Sequence, residues 1–116
     1  MRKLILVLFA AMAMGAFAAD ASTVKGYLVD LACASEEGQK PDFGVKHSKD
    51  CLQMGECASS GYGILTDDKK VIRFDKASNE QAKKFIADLK KPKDIKVSVT
   101  ETVNGDTMTI SKIELQ

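Results

Sequence analysis

The pattern of apolar and polar positions along the chain predicts five short strands. Each is rich in β-branched or aromatic residues and is bounded by glycine or polar turn residues. In the last strand the apolar positions change parity between Ile110 and Ile113, which predicts a β-bulge near Ser111 and Lys112. The predicted strands cover residues 23–30, 61–66, 71–75, 95–99 and 107–115.

One helix is predicted between the third and fourth strands. Ser78 and Gln81 have the spacing of a capping box, and Pro92 marks the end of the helical pattern. Four apolar residues recur at helical spacing and define one buried stripe. They are Ala82, Phe85, Ile86 and Leu89.

The order of these elements predicts a mostly β fold with one helix, in the α+β class. Five short strands with a helix after the third are typical of an OB-like Greek-key barrel. An antiparallel α+β sandwich is the other architecture that this order allows.

The connection between the first two strands, residues 31–60, is long for a compact domain. Connections of more than about 12–15 residues are usually functional or disordered. Within it, Lys46 to Met54 predicts a short helix that would place His47, Cys51 and Met54 on one face.

The N-terminal residues predict export. Two basic residues precede an apolar run from Leu4 to Met14, and small residues at 16–18 offer a cleavage point. We therefore predict a signal peptide over residues 1–18 and a single domain over 19–116. The predicted location is the periplasm or the extracellular space, with no stable membrane insertion after cleavage.

Charge argues against some partners. The chain has a formal net charge of +1, and removing residues 1–18 takes away two basic residues and no acidic one, which leaves −1. A near-neutral domain has little electrostatic attraction for nucleic acid, so no nucleic-acid partner is expected.

The three cysteines all lie in or beside the long connection. In an oxidising compartment, cysteines are first interpreted as disulfides, and an odd number leaves one thiol free or paired between chains. Any pairing of Cys33, Cys51 and Cys57 is open at this point.

A metal site is the competing interpretation. Together with His47, the only histidine, the cysteines make a Cys₃His set: Cys33, His47, Cys51 and Cys57. Thiolates and an imidazole suit zinc, and soft sulfur donors also accept Cu(I). Asp30 and Met54 lie close enough in sequence to act as an orienting carboxylate or an extra ligand.

A nucleophilic cysteine enzyme, with His47 as the base for Cys51, is the least supported interpretation. Such pairs are usually brought together by the fold rather than by sequence neighbours. The chain is therefore expected to bind rather than to catalyse.

The segments GYLVDLAC, HSKDCLQMGEC and SGYGILTDDKKVIRFD, with a helix and an NGD hairpin, resemble a group of small exported bacterial proteins that are largely uncharacterised. The resemblance covers most of residues 19–116. It implies an OB-like barrel behind a signal peptide and a D-x-x-C, His, Cys, Cys arrangement. It further implies that Cys33, His47, Cys51 and Cys57 belong to one site.

The sequence thus supports two functional hypotheses. One is an exported zinc- or copper-binding domain, with the metal in a structural or a carried role and a protein partner in the envelope. The other is a disulfide-stapled OB-like module that binds a small ligand or a protein partner and keeps one free or intermolecular thiol.

Overall fold

A computed structural model describes residues 22–116, so the predicted signal peptide lies outside the described residues. The described chain is α+β, as predicted, with five strands and five helices. In chain order these are β1 (Ser22–Asp30), α1 (Leu31–Glu37), α2 (Phe43–Lys46), α3 (Lys49–Gln53), α4 (Gly55–Ser60), β2 (Tyr62–Leu65), β3 (Val71–Phe74), α5 (Lys76–Asp88), β4 (Lys96–Asn104) and β5 (Thr107–Leu115). None of the helices within residues 22–116 has the length and apolar character needed to cross a bilayer.

The five strands form one mixed sheet whose order closes on itself, β1-β2-β3-β5-β4. β1 pairs antiparallel with both β2 and β4, through different parts of its length. The single parallel pairing joins β3 to β5. Every strand therefore has two neighbours, although β3 and β5 pair over only two residues each.

Alternation along the strands builds the core. In β4 the buried positions are Val97, Val99 and Glu101, with partly exposed residues between them. The main apolar cluster lies inside the ring and is covered by α5 and Leu52. A smaller cluster lies under α1 and α2, formed by Val29, Ala34, Phe43 and Leu65.

The predicted bulge in β5 is confirmed. Thr100 pairs with Lys112 and the next residue, Glu101, pairs with Ile110, so Ser111 is the extra residue. Because this extra residue reverses the alternation of side chains along β5, Ile110 and Ile113 can point to the same side of the sheet despite their odd spacing. The NGD hairpin turn joins β4 to β5, with Gly105 at φ +68°.

The helix between β3 and β4 is confirmed, but its start differs from the prediction. Asp75, not Ser78, is the N-cap, and its carboxylate accepts the backbone N–H of Ser78 at 2.9 Å. Ser78 is buried inside the first turn, and its Oγ accepts the backbone N–H of Ile110 at 2.8 Å. Its hydroxyl therefore ties the helix to β5 instead of capping it.

Residues 31–60 contain four short helices where the sequence predicted a polar loop with one. The predicted helix from Lys46 to Met54 is wrong in extent, because Ser48 starts a new helix at Lys49 by accepting the N–H of Cys51. His47 lies before that helix, so it does not share a helical face with Cys51.

This segment is fastened to the end of α5. Lys49 donates its backbone N–H to Pro92 O at 2.8 Å and its Nζ to Leu89 O at 2.6 Å. Ser48 also forms an isolated β-bridge with Lys93. The four helices therefore form an ordered cap that packs against the sheet.

Candidate metal centre

Asp30 lies at the junction of β1 and α1 and is fully buried. Its Oδ2 accepts the backbone N–H of Cys33 at 2.9 Å, which caps the N-terminus of α1. A short carboxylate at this position favours the start of a helix, so the D-x-x-C spacing places the Cys33 side chain in the first turn beside the carboxylate.

The other carboxylate oxygen is bound by histidine. Nε2 of His47 lies 2.6 Å from Oδ1 of Asp30, and both side chains are buried. The His47 backbone N–H is fixed by Phe43 O at 2.9 Å, and the Phe43 ring lies 4.8 Å from the imidazole, centroid to centroid. The imidazole is therefore held in one orientation.

The charge of Asp30 follows from these contacts. Burial alone would raise the pKa of its carboxyl, but hydrogen bonds from His47 and from the Cys33 N–H, with the attraction of the His47 ring, lower it below 3.8. Asp30 is thus a carboxylate at neutral pH, and Nε2 of His47 donates the hydrogen. Metal-binding histidines are commonly oriented by a carboxylate in this way.

Two of the cysteines meet beside this carboxylate. Sγ of Cys33, on α1, lies 3.8 Å from Sγ of Cys57, on α4. Ser60 joins the two helices, because its Oγ accepts the N–H of Ala32 at 3.1 Å and donates to Cys57 O at 2.7 Å. Asp30, Cys33 and Cys57 offer ligand atoms that all lie within 4.8 Å of one another.

Both thiols hold their protons tightly. Burial, followed by the negative charge of Asp30 and the contact with Cys57, raises the pKa of Cys33 to about 12. Burial also raises the pKa of Cys57, and the charges of Asp30 and Cys51 act in the same direction. These thiols are poor nucleophiles at neutral pH, but the same negative surroundings favour a bound cation.

The remaining predicted site residues lie around this cluster. Cys51 is half-buried on α3, and neither Cys51 nor His47 belongs to the group of ligand atoms within 4.8 Å. His47 and Cys51 line an open cleft of about 510 Å³, and no hydrogen bond joins them within residues 22–116. Met54 is 58% exposed at the end of α3.

The arrangement therefore brings Asp30, Cys33 and Cys57 together, with His47 bound to Asp30 and Cys51 at the side of the cleft. The sequence predicted Asp30 as an orienting carboxylate or an extra ligand, and the structure places it within the cluster. Sequence reasoning missed Ser60, whose sequence signal was its position three residues after Cys57, where a serine hydroxyl reaches back to a helix carbonyl.

Comparisons of the chain with models of protein families, with curated proteins and with solved structures found no match. The resemblance to small exported bacterial proteins therefore stays a prediction.

Proposed function

We propose that this protein binds one thiophilic transition-metal ion, zinc or copper, between Cys33, Cys57 and Asp30. The observation that carries the proposal is the 3.8 Å separation of the two sulfurs beside a buried carboxylate. Two zinc–sulfur bonds of about 2.3 Å at the tetrahedral angle hold their sulfurs about 3.8 Å apart. The cysteines therefore already have the spacing of two ligands on one ion.

The residues around the two sulfurs have different roles. Asp30 supplies a hard oxygen donor within the cluster, His47 orients that carboxylate, and Cys51 lies outside the cluster, at the cleft. The Cys₃His set predicted from sequence is retained as the set of residues around the ion, with Asp30 added to its centre. Soft sulfur donors select zinc or Cu(I) over calcium and magnesium.

An ion that is carried fits this geometry better than a purely structural one. Structural zinc sites are closed by four protein ligands, whereas this cluster has three ligand atoms and a neighbouring open cleft. The cap is ordered by its own helices and by α5, so the site does not depend on the ion for its shape.

We propose further that the domain is an OB-like Greek-key barrel that acts after export to the periplasm or beyond. The ring order β1-β2-β3-β5-β4 supports the barrel, and the cap occupies the β1–β2 connection, one of the two binding loops of OB-folds. The signal-like N-terminus supports export, and the near-neutral charge argues against a nucleic-acid partner.

The experiment is a titration of the full, reduced protein with Zn²⁺ and, anaerobically, with Cu(I), each in competition with a chromophoric chelator. One ion per chain is expected. Cys33→Ser and Cys57→Ser should abolish tight binding, and Cys51→Ser should weaken it while keeping the stoichiometry at one.

Asp75→Asn is the matched control, since Asp75 caps a helix as Asp30 does but caps α5. It should bind like the unmodified protein. Absence of bound metal in the reduced protein, or unchanged affinity in Cys33→Ser and Cys57→Ser, would contradict the proposal.

The second candidate is the disulfide-stapled OB-like binding module, with a small ligand or a protein as its partner. One observation favours it: the sulfurs of Cys33 and Cys57 are in contact. Of the three disulfides that the sequence allows, the one between Cys33 and Cys57 therefore fits the structure. In that state Cys51 is the free thiol. The same titration separates the two candidates, because a chain with this disulfide has lost two of its proposed metal ligands.

A further inference from the structure

We infer that Cys33 and Cys57 form a reversible dithiol/disulfide couple whose oxidation releases the metal, so that the redox state of this pair controls metal occupancy. The inference rests on the proposed metal-binding function and adds its regulation. It follows from the position of one pair of sulfur atoms, which can either bind one metal ion or form a disulfide with each other, but cannot do both.

The first step is the choice of pair. The sulfurs of Cys33 and Cys57 lie 3.8 Å apart, although 24 positions separate the two residues in sequence. Cys51 lies outside the cluster, at the cleft. Oxidation is therefore directed to Cys33 and Cys57 by proximity.

The second step is the distance. A disulfide bond is about 2.05 Å long, so the two sulfurs must approach by about 1.8 Å from their present separation. Each lies on a short helix, and Ser60 holds the two helices together through Ala32 N–H and Cys57 O. A small change in both side chains thus suffices, without separation of the helices.

The third step is the chemistry. A low-molecular-weight disulfide, R–S–S–R, is the oxidant. In the metal-bound protein the two cysteine sulfurs are thiolates, and one of them attacks the oxidant, forms a mixed disulfide and releases one R–S⁻. The second cysteine sulfur then attacks the first and releases the other R–S⁻. The cysteine pair gives up two electrons, the oxidant becomes two thiols, and two protons pass to them from the cysteines or, when metal is bound, from solvent.

The consequence for the ion is direct. A metal binds thiolates, and the disulfide sulfurs no longer carry that charge. Oxidation removes two of the three clustered ligand atoms and leaves Asp30, which is bound to His47.

The test uses the full protein loaded with zinc and equilibrated in buffers of increasing oxidised-to-reduced glutathione ratio, without metal chelators other than a zinc indicator. Released zinc and linked cysteines are measured on the same samples. Cleavage after Glu56 separates Cys51 from Cys57, and trypsin cleaves between Cys33 and Cys51, so mass spectrometry can assign the linkage.

We expect one zinc ion released for each Cys33–Cys57 disulfide formed, with rebinding after reduction by dithiothreitol. Cys51→Ser should still form that disulfide, whereas Cys33→Ser should not form an equivalent link. Zinc that stays bound to the disulfide form, a linkage through Cys51 in the unmodified protein, or no linkage at all would overturn the inference and leave the proposed function standing. A reduced protein that binds no zinc would overturn the proposed function, and with it the proposed redox regulation.

Discussion

Replacement of Asp30 by Ala tests the buried pair that organises the site. Asp30 accepts two hydrogen bonds, from the backbone of Cys33 and from His47. Asp75 caps α5 in the same way and accepts a second hydrogen bond from Thr109 Oγ1, but it is only half-buried and has no histidine partner. The difference between Asp30→Ala and Asp75→Ala therefore compares a buried pair with histidine against a more exposed pair with a hydroxyl.

The magnitude follows from these contacts. Loss of an N-cap side chain costs about 1 kcal/mol, and this applies to both variants. Asp30→Ala also leaves Nε2 of the buried His47 without its partner, which costs about 1–3 kcal/mol more. We expect about 2–4 kcal/mol of destabilisation for Asp30→Ala and about 1 kcal/mol for Asp75→Ala.

Urea unfolding followed by circular dichroism, with reductant and chelator present, measures these free energies without contributions from a disulfide or a metal. A double-mutant cycle with His47→Ala should give a coupling of about 0.5–3 kcal/mol. If Asp30→Ala does not fold, Asp30→Asn keeps the capping oxygen and removes the charge. Equal costs for the two Ala variants, or additive effects of the Asp30 and His47 changes, would refute the reasoning.

Three further outcomes are expected. Since the folded-state pKa of Asp30 lies below 3.8, its carboxylate stabilises the protein above about pH 4 and less so at lower pH. The difference in unfolding free energy between the unmodified protein and Asp30→Asn, measured in urea, should therefore narrow below that pH, and a constant difference would contradict this. Burial and nearby charge raise the pKa of Cys33 from 9.0 to about 12. Iodoacetamide should therefore alkylate Cys33 at least about 30-fold more slowly at about pH 8 in the folded, reduced protein than in urea. Equal rates would count against the burial of this thiol. Gly44→Ala should lower the free energy of unfolding by about 1–3 kcal/mol, because the added Cβ would collide with the Tyr27 ring. Gly55→Ala is the control, since its Cβ meets open space, and it should change that free energy by no more than about 0.5 kcal/mol. Equal effects of the two substitutions would contradict this packing.

Local sequence signals predicted much of the fold. The period-two pattern of β4 matched its burial, and the change of parity between Ile110 and Ile113 located the bulge. The start of α5 was wrong because a second capping residue, Asp75, lay three positions before Ser78. Both residue types accept a helix N–H, and packing against β5 decided between them.

The site was only partly predictable for a related reason. The sequence showed that the three cysteines lie close together along the chain, and it placed Asp30 at the end of a strand. That His47 binds Asp30 depends on a tertiary contact across 17 positions, which no helical or strand period encodes. The predicted face shared by His47 and Cys51 failed because Ser48 offered an N-cap between them.

The parallel pairing of β3 with β5 also bears on the timing of folding. Among the five strands, β5 is the last to be synthesised, and it is a partner of both β3 and β4. Until residues 107–115 leave the ribosome, the ring stays open and two strands expose an unpaired side. The ring can therefore close only after β5 has been made, so its closure is a late step in the folding of the described residues.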